Sequence, residues 1–381
     1  MSEHYIGLMS GTSMDGIDAV LVSLSGEGPP RLLAARQNPY EPGLRQRLLK
    51  LCQQDTVPVV ELLQMDALLG RQFARTALAL LTETGLKPAA IQAIGSHGQT
   101  IHHLPTPPAC SSLQIGDPNV IAELSGITTV ADFRRRDMAA GGEGAPLVPA
   151  FHRAVFSAAD KDRVIVNIGG IANITILPCS GGTSIKGFDT GPGNLLMDAW
   201  ATQHLQSPMD SNGQWAASGV VDQALLACCL ADPYFQRPPP KSTGREYFCL
   251  HWLEEKLRQH GGQPAAADIQ ATLCELSGAT IATAIRSHAP HSREVLVCGG
   301  GVHNSHLLAR LRAHLPHCTV RSTAAAGIDP DLVEAIAFAW LARQTLRGKP
   351  GNVPAVTGAQ REVILGGIYQ GRYKLQDTRY K

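Results

Sequence analysis

Residues 7–18 read Gly7-Leu8-Met9-Ser10-Gly11-Thr12-Ser13-Met14-Asp15-Gly16-Ile17-Asp18, a small-residue loop set between two apolar runs. Residues 5–9 and 17–24 are short, mostly apolar and bounded by turn formers, which predicts the two strands of a hairpin. The loop between them offers main-chain N–H groups, the hydroxyls of Ser10, Thr12 and Ser13, and no bulk at Gly11. Glycine lets the main chain approach a ligand and amide dipoles meet negative charge, so a loop of this make-up can wrap phosphate oxygens. The same composition also makes an ordinary hairpin turn.

Two further glycine elements favour the phosphate reading. Residues 163–177 form a strand, a tight Gly169-Gly170 turn and a second strand, the design of the first hairpin repeated in the other half of the chain. The halves share no obvious sequence similarity, so the expected duplication is one of topology. Residues 294–298 are strand-like and are broken by Gly299-Gly300-Gly301. Asn304 is then placed to cap a helix carrying Leu307, Leu308 and Leu311. A glycine turn feeding a helix can pass beside a flat ligand such as a nucleobase.

In this order the three elements resemble the phosphate-1, phosphate-2 and adenosine motifs of the actin-like ATPases, a superfamily that includes sugar kinases, acetate kinase, Hsp70 chaperones and actin. Competing nucleotide and hydrolase signatures are absent: there is no G-x-x-x-x-G-K-[ST], no G-x-G-x-x-G after a strand, no G-x-S-x-G and no H-E-x-x-H. The resemblance implies an α/β, two-lobed, ribonuclease H-like fold with a ligand cleft between the lobes. The first lobe is expected to hold residues 1–131 and about 360–381, and the second residues 132–359.

With 381 residues the chain is long enough for two sizeable cores. A formal charge of +1 gives no electrostatic case for nucleic acid or an anionic membrane. Nine cysteines without a C-x-x-C pair fit a reducing cytosol better than a disulfide scaffold or a zinc site. No signal-peptide pattern and no apolar run near the roughly 20 residues of a spanning helix is present, so a cytoplasmic protein is expected.

Leu62, Met65, Leu69, Phe73, Ala77 and Leu80 recur at helical spacing and predict an amphipathic helix over 58–84, stopped by Gly85. Strands are expected over 93–96, ending in Ser96-His97-Gly98-Gln99-Thr100, and over 127–131, ending in Asp132-Phe133-Arg134. Open α/β sheets place ligands just beyond strand ends, which singles out His97, Gln99 and Arg134. Gly141, Gly142, Gly144 and Pro146 punctuate the expected hinge over 131–150. Residues 230–245, with Pro233 and Pro238-Pro239-Pro240, read as a rigid surface connection, and 240–246 as an exposed loop or substrate lid. Residues 346–360 read as a connector, and 362–369 as a strand returning to the first lobe.

In Gly187-Phe188-Asp189-Thr190-Gly191-Pro192-Gly193-Asn194 an acidic residue sits in an expected tight turn before a helix. Such an aspartate either accepts bonds from nearby backbone N–H groups or is held as a general base. Asp198 reads as helix-surface or supporting. Glu334 opens an Ala-rich stretch expected to be an amphipathic helix, where pairing with the helix dipole is the plain role.

The motifs Gly-Leu-Met-Ser-Gly-Thr-Ser-Met-Asp-Gly-Ile-Asp, Ser-His-Gly-Gln-Thr, Gln-Ile-Gly-Asp, Asp-Phe-Arg-Arg-Arg-Asp, Gly-Ala-Pro-Leu-Val-Pro-Ala-Phe, Asn-Ile-Gly-Gly-Ile-Ala-Asn, Asp-Thr-Gly-Pro-Gly-Asn, Lys-Ser-Thr-Gly-Arg-Glu and Cys-Gly-Gly-Gly follow one another from about residue 5 to about 368. Together they closely resemble the anhydro-N-acetylmuramic acid kinase family of bacterial cell-wall recycling. The resemblance implies that ATP and water convert 1,6-anhydro-N-acetylmuramic acid to N-acetylmuramic acid 6-phosphate and ADP. Asp189 matches the family's catalytic aspartate. Gly11, Thr12, Ser13, Met14, Asp15, Gly16, Ile17, Asp18, Gly169 and Gly170 would hold the phosphates, and Gly299, Gly300, Gly301 and Asn304 the adenosine side. His97, Gln99, Arg134 and Glu334 are the sugar-side candidates, Arg134 facing the lactyl carboxylate. The wider superfamily carries acidic residues where this chain has Met9 and Asn167, so its usual metal ligands are missing. Mg²⁺ is expected to arrive with ATP, and its ligands stay unassigned, with Asp15 or Asp18 as possible helpers. The family also implies a homodimer and a closing cleft. A plain sugar or acetate kinase and a nucleotide-gated binding protein are the competing readings; the second lacks spare chain length for an appended domain.

Overall fold

The computed structural model describes residues 3–11, 14–26, 28–54, 56–105, 110–179 and 185–372. Twelve strands lie among them: β1 (Glu3–Ser10), β2 (Gly16–Leu24), β3 (Arg31–Pro39), β4 (Ile91–Leu104), β5 (Ser111–Ile115), β6 (Thr129–Ala131), β7 (Arg163–Ile168), β8 (Ile171–Leu177), β9 (Lys186–Pro192), β10 (Glu294–Cys298), β11 (Thr319–Ser322) and β12 (Gly367–Tyr369). The chain divides into two compact units, residues 1–155 with 334–381, and residues 156–333.

The first unit holds a sheet ordered β12-β6-β4-β1-β2-β3, with β5 paired to β4. β2 runs antiparallel to both β1 and β3, whereas β4 is parallel to β1 and β6 to β4. The second unit holds β11-β10-β7-β8-β9, in which β8 is antiparallel to its two neighbours and β10 and β11 are parallel to β7. Counted from each unit's own first strand, with β5 and β12, two antiparallel additions to the first sheet, set aside, both sheets have the order 3-2-1-4-5 with only the second strand reversed. The expected duplication is therefore present as topology.

Each sheet is buried by helices. Residues 59–84 form one helix whose Met65, Leu69, Phe73, Ala77 and Leu80 are fully buried, and Gly85 ends it in the left-handed conformation. Burying side chains of this size contributes about 1.5–3 kcal/mol each. The helix Val333–Leu346 is buried on nearly every side rather than amphipathic. It lies so close to the first sheet that a Cβ at Gly7 would fall on the carbonyl of Ala335, and one at Gly95 on that of Phe338. In the second unit the helix Ala266–His288 is the central buried element, with Leu273, Leu276 and Ile281 in a core that also takes Val164, Val166 and Ile174 from the sheet.

Several expectations need correction. The units part at residues 155/156 and 333/334, not at 131/132 and 359/360. Two of the reassigned stretches are joined by Asp137, whose buried carboxylate accepts from Gly144 N and from the side chains of Asn352 and Thr357. The glycine-rich stretch expected as a hinge is thus tied down by Asp137. Asp189 lies within β9, not in a tight turn, and His97 and Gln99 lie within the long β4, not beyond its end. Only residues 367–369 of the last expected strand pair, with β6 of the first unit, as the return to that lobe required.

Candidate active site

The first hairpin is closed by side chains. Gln99 is fully buried on β4; its amide nitrogen donates to Gly11 O and Thr100 O at 3.3 and 3.2 Å. Ser10 Oγ sits 2.7 Å from Gln99 Oε1 and 2.8 Å from Gly16 O, and the Tyr40 hydroxyl donates to it at 3.0 Å. Arg45 Nε donates to Met14 O at 3.2 Å, and its guanidinium pairs with Asp15. The loop is shorter than expected. Gly16, Ile17 and Asp18 are strand residues paired with β3, Asp18 also with β1, and the Met14 and Ile17 side chains are core. Gly11 and Asp15 remain in the loop; Thr12 and Ser13 lie outside the described residues. Gln99 faces this loop as a brace.

His97 and Arg134 are brought together. Arg134 Nε donates to His97 Nε2 at 3.0 Å and its terminal nitrogen to Gly144 O at 2.9 Å, while His97 Nδ1 is 2.9 Å from Gly98 O. Burial, reinforced by the Arg134 charge, drives the His97 pKa well below the usual histidine value, so the ring stays a neutral acceptor. It packs against Phe338 with centroids 4.7 Å apart. Glu334 is four residues before Phe338 on the same helix and so shares its face. A cavity of about 410 Å³ in this unit is lined by His97, Ser96, Asp66, Asp117, Asp132 and Arg135 among others.

In the second unit the Gly169-Gly170 turn is closed by backbone. Its two carbonyls accept from the amides of Gly193, Asn194 and Leu195, which open the helix Leu195–Leu205. A Cβ at Gly193 would fall on Gly169 O. Gly299, at φ +79, follows β10 beside the end of β7, where a Cβ would meet the Asn167 side chain, and one at Gly301 would meet Ile168. Asn304 caps the helix Ser305–His314 as expected, accepting from Leu307 N at 2.9 Å. The Gly169-Gly170 turn, Gly299, Gly300, Gly301 and the start of the 195–205 helix therefore share one end of the second sheet.

Asp189 stands on β9 opposite Asn173, next to a bulge: Ala172 pairs with Gly191 and Asn173 with Asp189, leaving Thr190 as the extra residue. Bulges re-aim neighbouring side chains. Three hydrogen bonds fix residue 189: its N–H donates to Lys241 O at 3.1 Å, the Tyr234 hydroxyl donates to its carbonyl at 2.7 Å, and Thr243 N–H donates to its Oδ2 at 3.0 Å. Sequence reasoning missed Tyr234, Lys241 and Thr243 as site residues, although the Lys-Ser-Thr-Gly-Arg-Glu run pointed at the last two. The segment read as a surface connection is exposed at Pro233 and over most of residues 236–240, but it is anchored inward through the buried Asp232, Tyr234 and Lys241.

Among the described residues no group of three His, Cys, Asp or Glu side chains is placed to hold a metal ion. No helix there is long and apolar enough to cross a membrane.

Two α/β units with the same core strand order, a short hairpin loop in one and a glycine turn beside a Gly-Gly-Gly break in the other, have the fold of the actin-like ATPase class. The chain belongs to the anhydro-N-acetylmuramic acid kinase family, whose model matches residues 3–371. A kinase family implies ATP and a sugar as substrates. The anhydro-N-acetylmuramic acid kinase of Xylella fastidiosa is 50% identical over 368 residues, covering 96% of each chain. That of Xanthomonas campestris pv. campestris is 52% identical over 371 residues, covering 97% of each. Among solved structures, component A of the Acidaminococcus fermentans (R)-2-hydroxyglutaryl-CoA dehydratase is similar over 88% of this chain and 96% of that one, with 11% identity and a TM-score of 0.48.

Proposed function

We propose that this protein opens 1,6-anhydro-N-acetylmuramic acid with water and phosphorylates it from ATP, giving N-acetylmuramic acid 6-phosphate and ADP. Asp189 is the general base. It takes a proton from water as the water oxygen bonds to the anomeric carbon; the bond from that carbon to O6 breaks, and O6 takes the γ-phosphoryl group. An ordinary carboxylate, with a pKa near 4, is ionised at neutral pH but weakly basic. The reaction therefore depends on the strained bicyclic sugar and on the position of the base. The observation that carries the reading is the fixation of Asp189 at its amide, its carbonyl and one carboxylate oxygen.

Phosphoryl transfer is mostly positioning and charge neutralisation. The loop at Gly11, Thr12, Ser13, Met14 and Asp15 and the Gly169-Gly170 turn hold the phosphates, and Gly299, Gly300, Gly301 and Asn304 the adenosine side. Arg134, oriented by His97, takes the lactyl carboxylate, and Glu334 contributes a sugar contact. Among the described residues there is no preassembled carboxylate cage, and Asp15 is paired with Arg45. This donor set fits Mg²⁺ carried by the nucleotide phosphates and water; the ion supplies charge neutralisation. The reading places the enzyme in the cytoplasm, where ATP is available, as a homodimer.

The test is incubation with ATP, Mg²⁺ and the anhydro sugar in ¹⁸O-labelled water, with mass spectrometry of the sugar product. One labelled oxygen at the anomeric carbon of a phosphorylated product is the expected result. A phosphorylated product without label, or no product, removes the coupled hydrolysis.

A further inference from the structure

Tyr234, Asp189 and Lys241 are joined in a closed ring. The Tyr234 hydroxyl donates to Asp189 O, Asp189 N–H donates to Lys241 O, and Lys241 Nζ donates to Tyr234 O at 3.2 Å. Two residues further on, Thr243 N–H reaches the Asp189 carboxylate itself. The ring is buried: Tyr234 is 2% and Lys241 7% exposed. The lysine ammonium also stands 4.6 Å from the centre of the Tyr234 ring, a cation–π contact that gains strength when desolvated.

The ring has its own foundation. The Asp232 carboxylate accepts from Tyr234 N, the Tyr247 hydroxyl, Trp252 Nε1 and Lys256 Nζ at 3.0, 2.7, 2.8 and 3.1 Å. Tyr234 packs edge-on against the fully buried Phe248. An exposed lid would not show these features. Residues 234, 241 and 243 each bond to residue 189, so the segment reaches back to hold the bulged strand that carries the carboxylate.

We propose that Tyr234, Lys241 and Thr243 form a clamp that sets the position of the Asp189 carboxylate, with Tyr234 and Lys241 as positioning residues that act through Asp189 and touch no substrate. The inference rests on Asp189 being the base. Burial and the neighbouring Arg237 charge lower the Lys241 ammonium below the usual lysine value, opposed by Asp189. The charged groups around the clamp are Lys241, Arg237, Asp189, and, through His288, Lys186.

The experiment is a double-mutant cycle on the full-length protein, with ATP and the anhydro sugar as substrates and with thermal unfolding and ATP binding recorded for each variant. Tyr234→Phe keeps the ring packing and removes the hydroxyl. It is expected to lower kcat about 10- to 100-fold, the scale of a misplaced catalytic group, with both KM values within about twofold. In an Asp189→Asn background the same change is expected to leave the residual rate unaltered. Lys241→Met, which keeps most of the stem, is expected to repeat the pattern and serves if Tyr234→Phe does not fold. Equal rate losses in both backgrounds, a change confined to KM, or an undiminished kcat in Tyr234→Phe and Lys241→Met would overturn the clamp alone. Undiminished turnover in Asp189→Asn would overturn the base assignment and the clamp with it.

Discussion

The two units fold their first three strands alike yet close the turn between the first two by different means. In the first unit the turn is braced by side chains from β4, from residue 40 and from the helix Pro42–Gln53. In the second it is closed by main-chain bonds into the start of the helix Leu195–Leu205. A shared topology therefore fixes where a phosphate loop can form, while its rigidity is set by whichever neighbour supplies the partners. Backbone closure demands glycine, because Gly193 leaves no room for a Cβ beside Gly169. Side-chain closure tolerates a longer, hydroxyl-bearing loop but depends on individual buried residues.

The largest effect expected from breaking this comparison is in the second unit, where Asp189 sits. Asp189→Asn should lower turnover by about 10²- to 10⁴-fold, the usual worth of general base catalysis. ATP affinity, read by titration calorimetry, should stay within about twofold. A variant that loses ATP binding in step with turnover would show that Asp189 holds the nucleotide or the fold instead.

Acid should separate the units next. His97 and His152, both buried in the first unit, have pKa values driven down, His152 to about 3, by burial in each case and for His97 also by the Arg134 charge. The unfolded chain takes up these protons below about pH 6.5, whereas the folded unit does not. Stability therefore falls as pH drops from about 6.5, by about 2 kcal/mol at pH 5 for His152 and in the same direction for His97. The second unit has one such histidine, the partly buried His288, lowered by burial and by the Lys186 and Lys241 charges; its other sensitive groups titrate lower. Asp232 and Glu275 pay for burial, but hydrogen bonds from Trp252, Tyr247 and Lys256 to the first, and from Arg310 and His314 to the second, hold them below the usual carboxylate values. Their stabilisation is lost only as pH falls through those depressed values. Amide hydrogen exchange at pH 7 and 5, corrected for intrinsic rates, should show the first unit losing protection before the second. Earlier loss in the second unit would reverse the assignment.

How much of this was legible in the sequence follows the same division. The strands flanking both glycine turns were readable because β1, β2, β7 and β8 are continuous apolar runs, buried on both faces. The third strand of each unit was not. β3 is an edge strand of mostly half-exposed residues, and β9 is so rich in Gly and Pro that it reads as a turn. Misreading β9 put Asp189 in the wrong element, although the residue itself was picked out by family resemblance. The bulge at Thr190 and the return of residues 234–243 depend on pairings across long sequence separations, which no local pattern encodes. His97 and Gln99 were flagged as polar residues near a strand end. What that reading missed is that one orients Arg134 and the other braces the first loop.

Gln99 tests the side-chain half of the comparison. Gln99→Leu keeps the volume but leaves Gly11 O without its Gln99 donor and Ser10 without its Gln99 acceptor, a cost of about 1–3 kcal/mol for buried polar groups. If the brace serves the phosphate loop, the KM for ATP should rise about tenfold and the KM for the sugar much less. A rise confined to the sugar would return Gln99 to the donor role expected from sequence.

The smallest effect concerns charge. Asp15 and Arg45 pair at 3.2 Å, but both side chains are well exposed, at 60% and 43%. An exposed pair of this kind contributes about 0–1 kcal/mol and is screened by salt. Arg45 also donates to the carbonyl of Met14, whose side chain is buried at φ 54 in the left-handed region. That second contact holds a strained backbone position and does not need Asp15. Asp15→Asn should therefore change the KM for ATP by less than about twofold, with little dependence on ionic strength. Arg45→Ala, which removes both contacts, should raise it further. If Asp15→Asn instead matched or exceeded Arg45→Ala, the carboxylate would be acting on the nucleotide or its metal ion, and the first loop would owe its function to charge as well as to the buried brace.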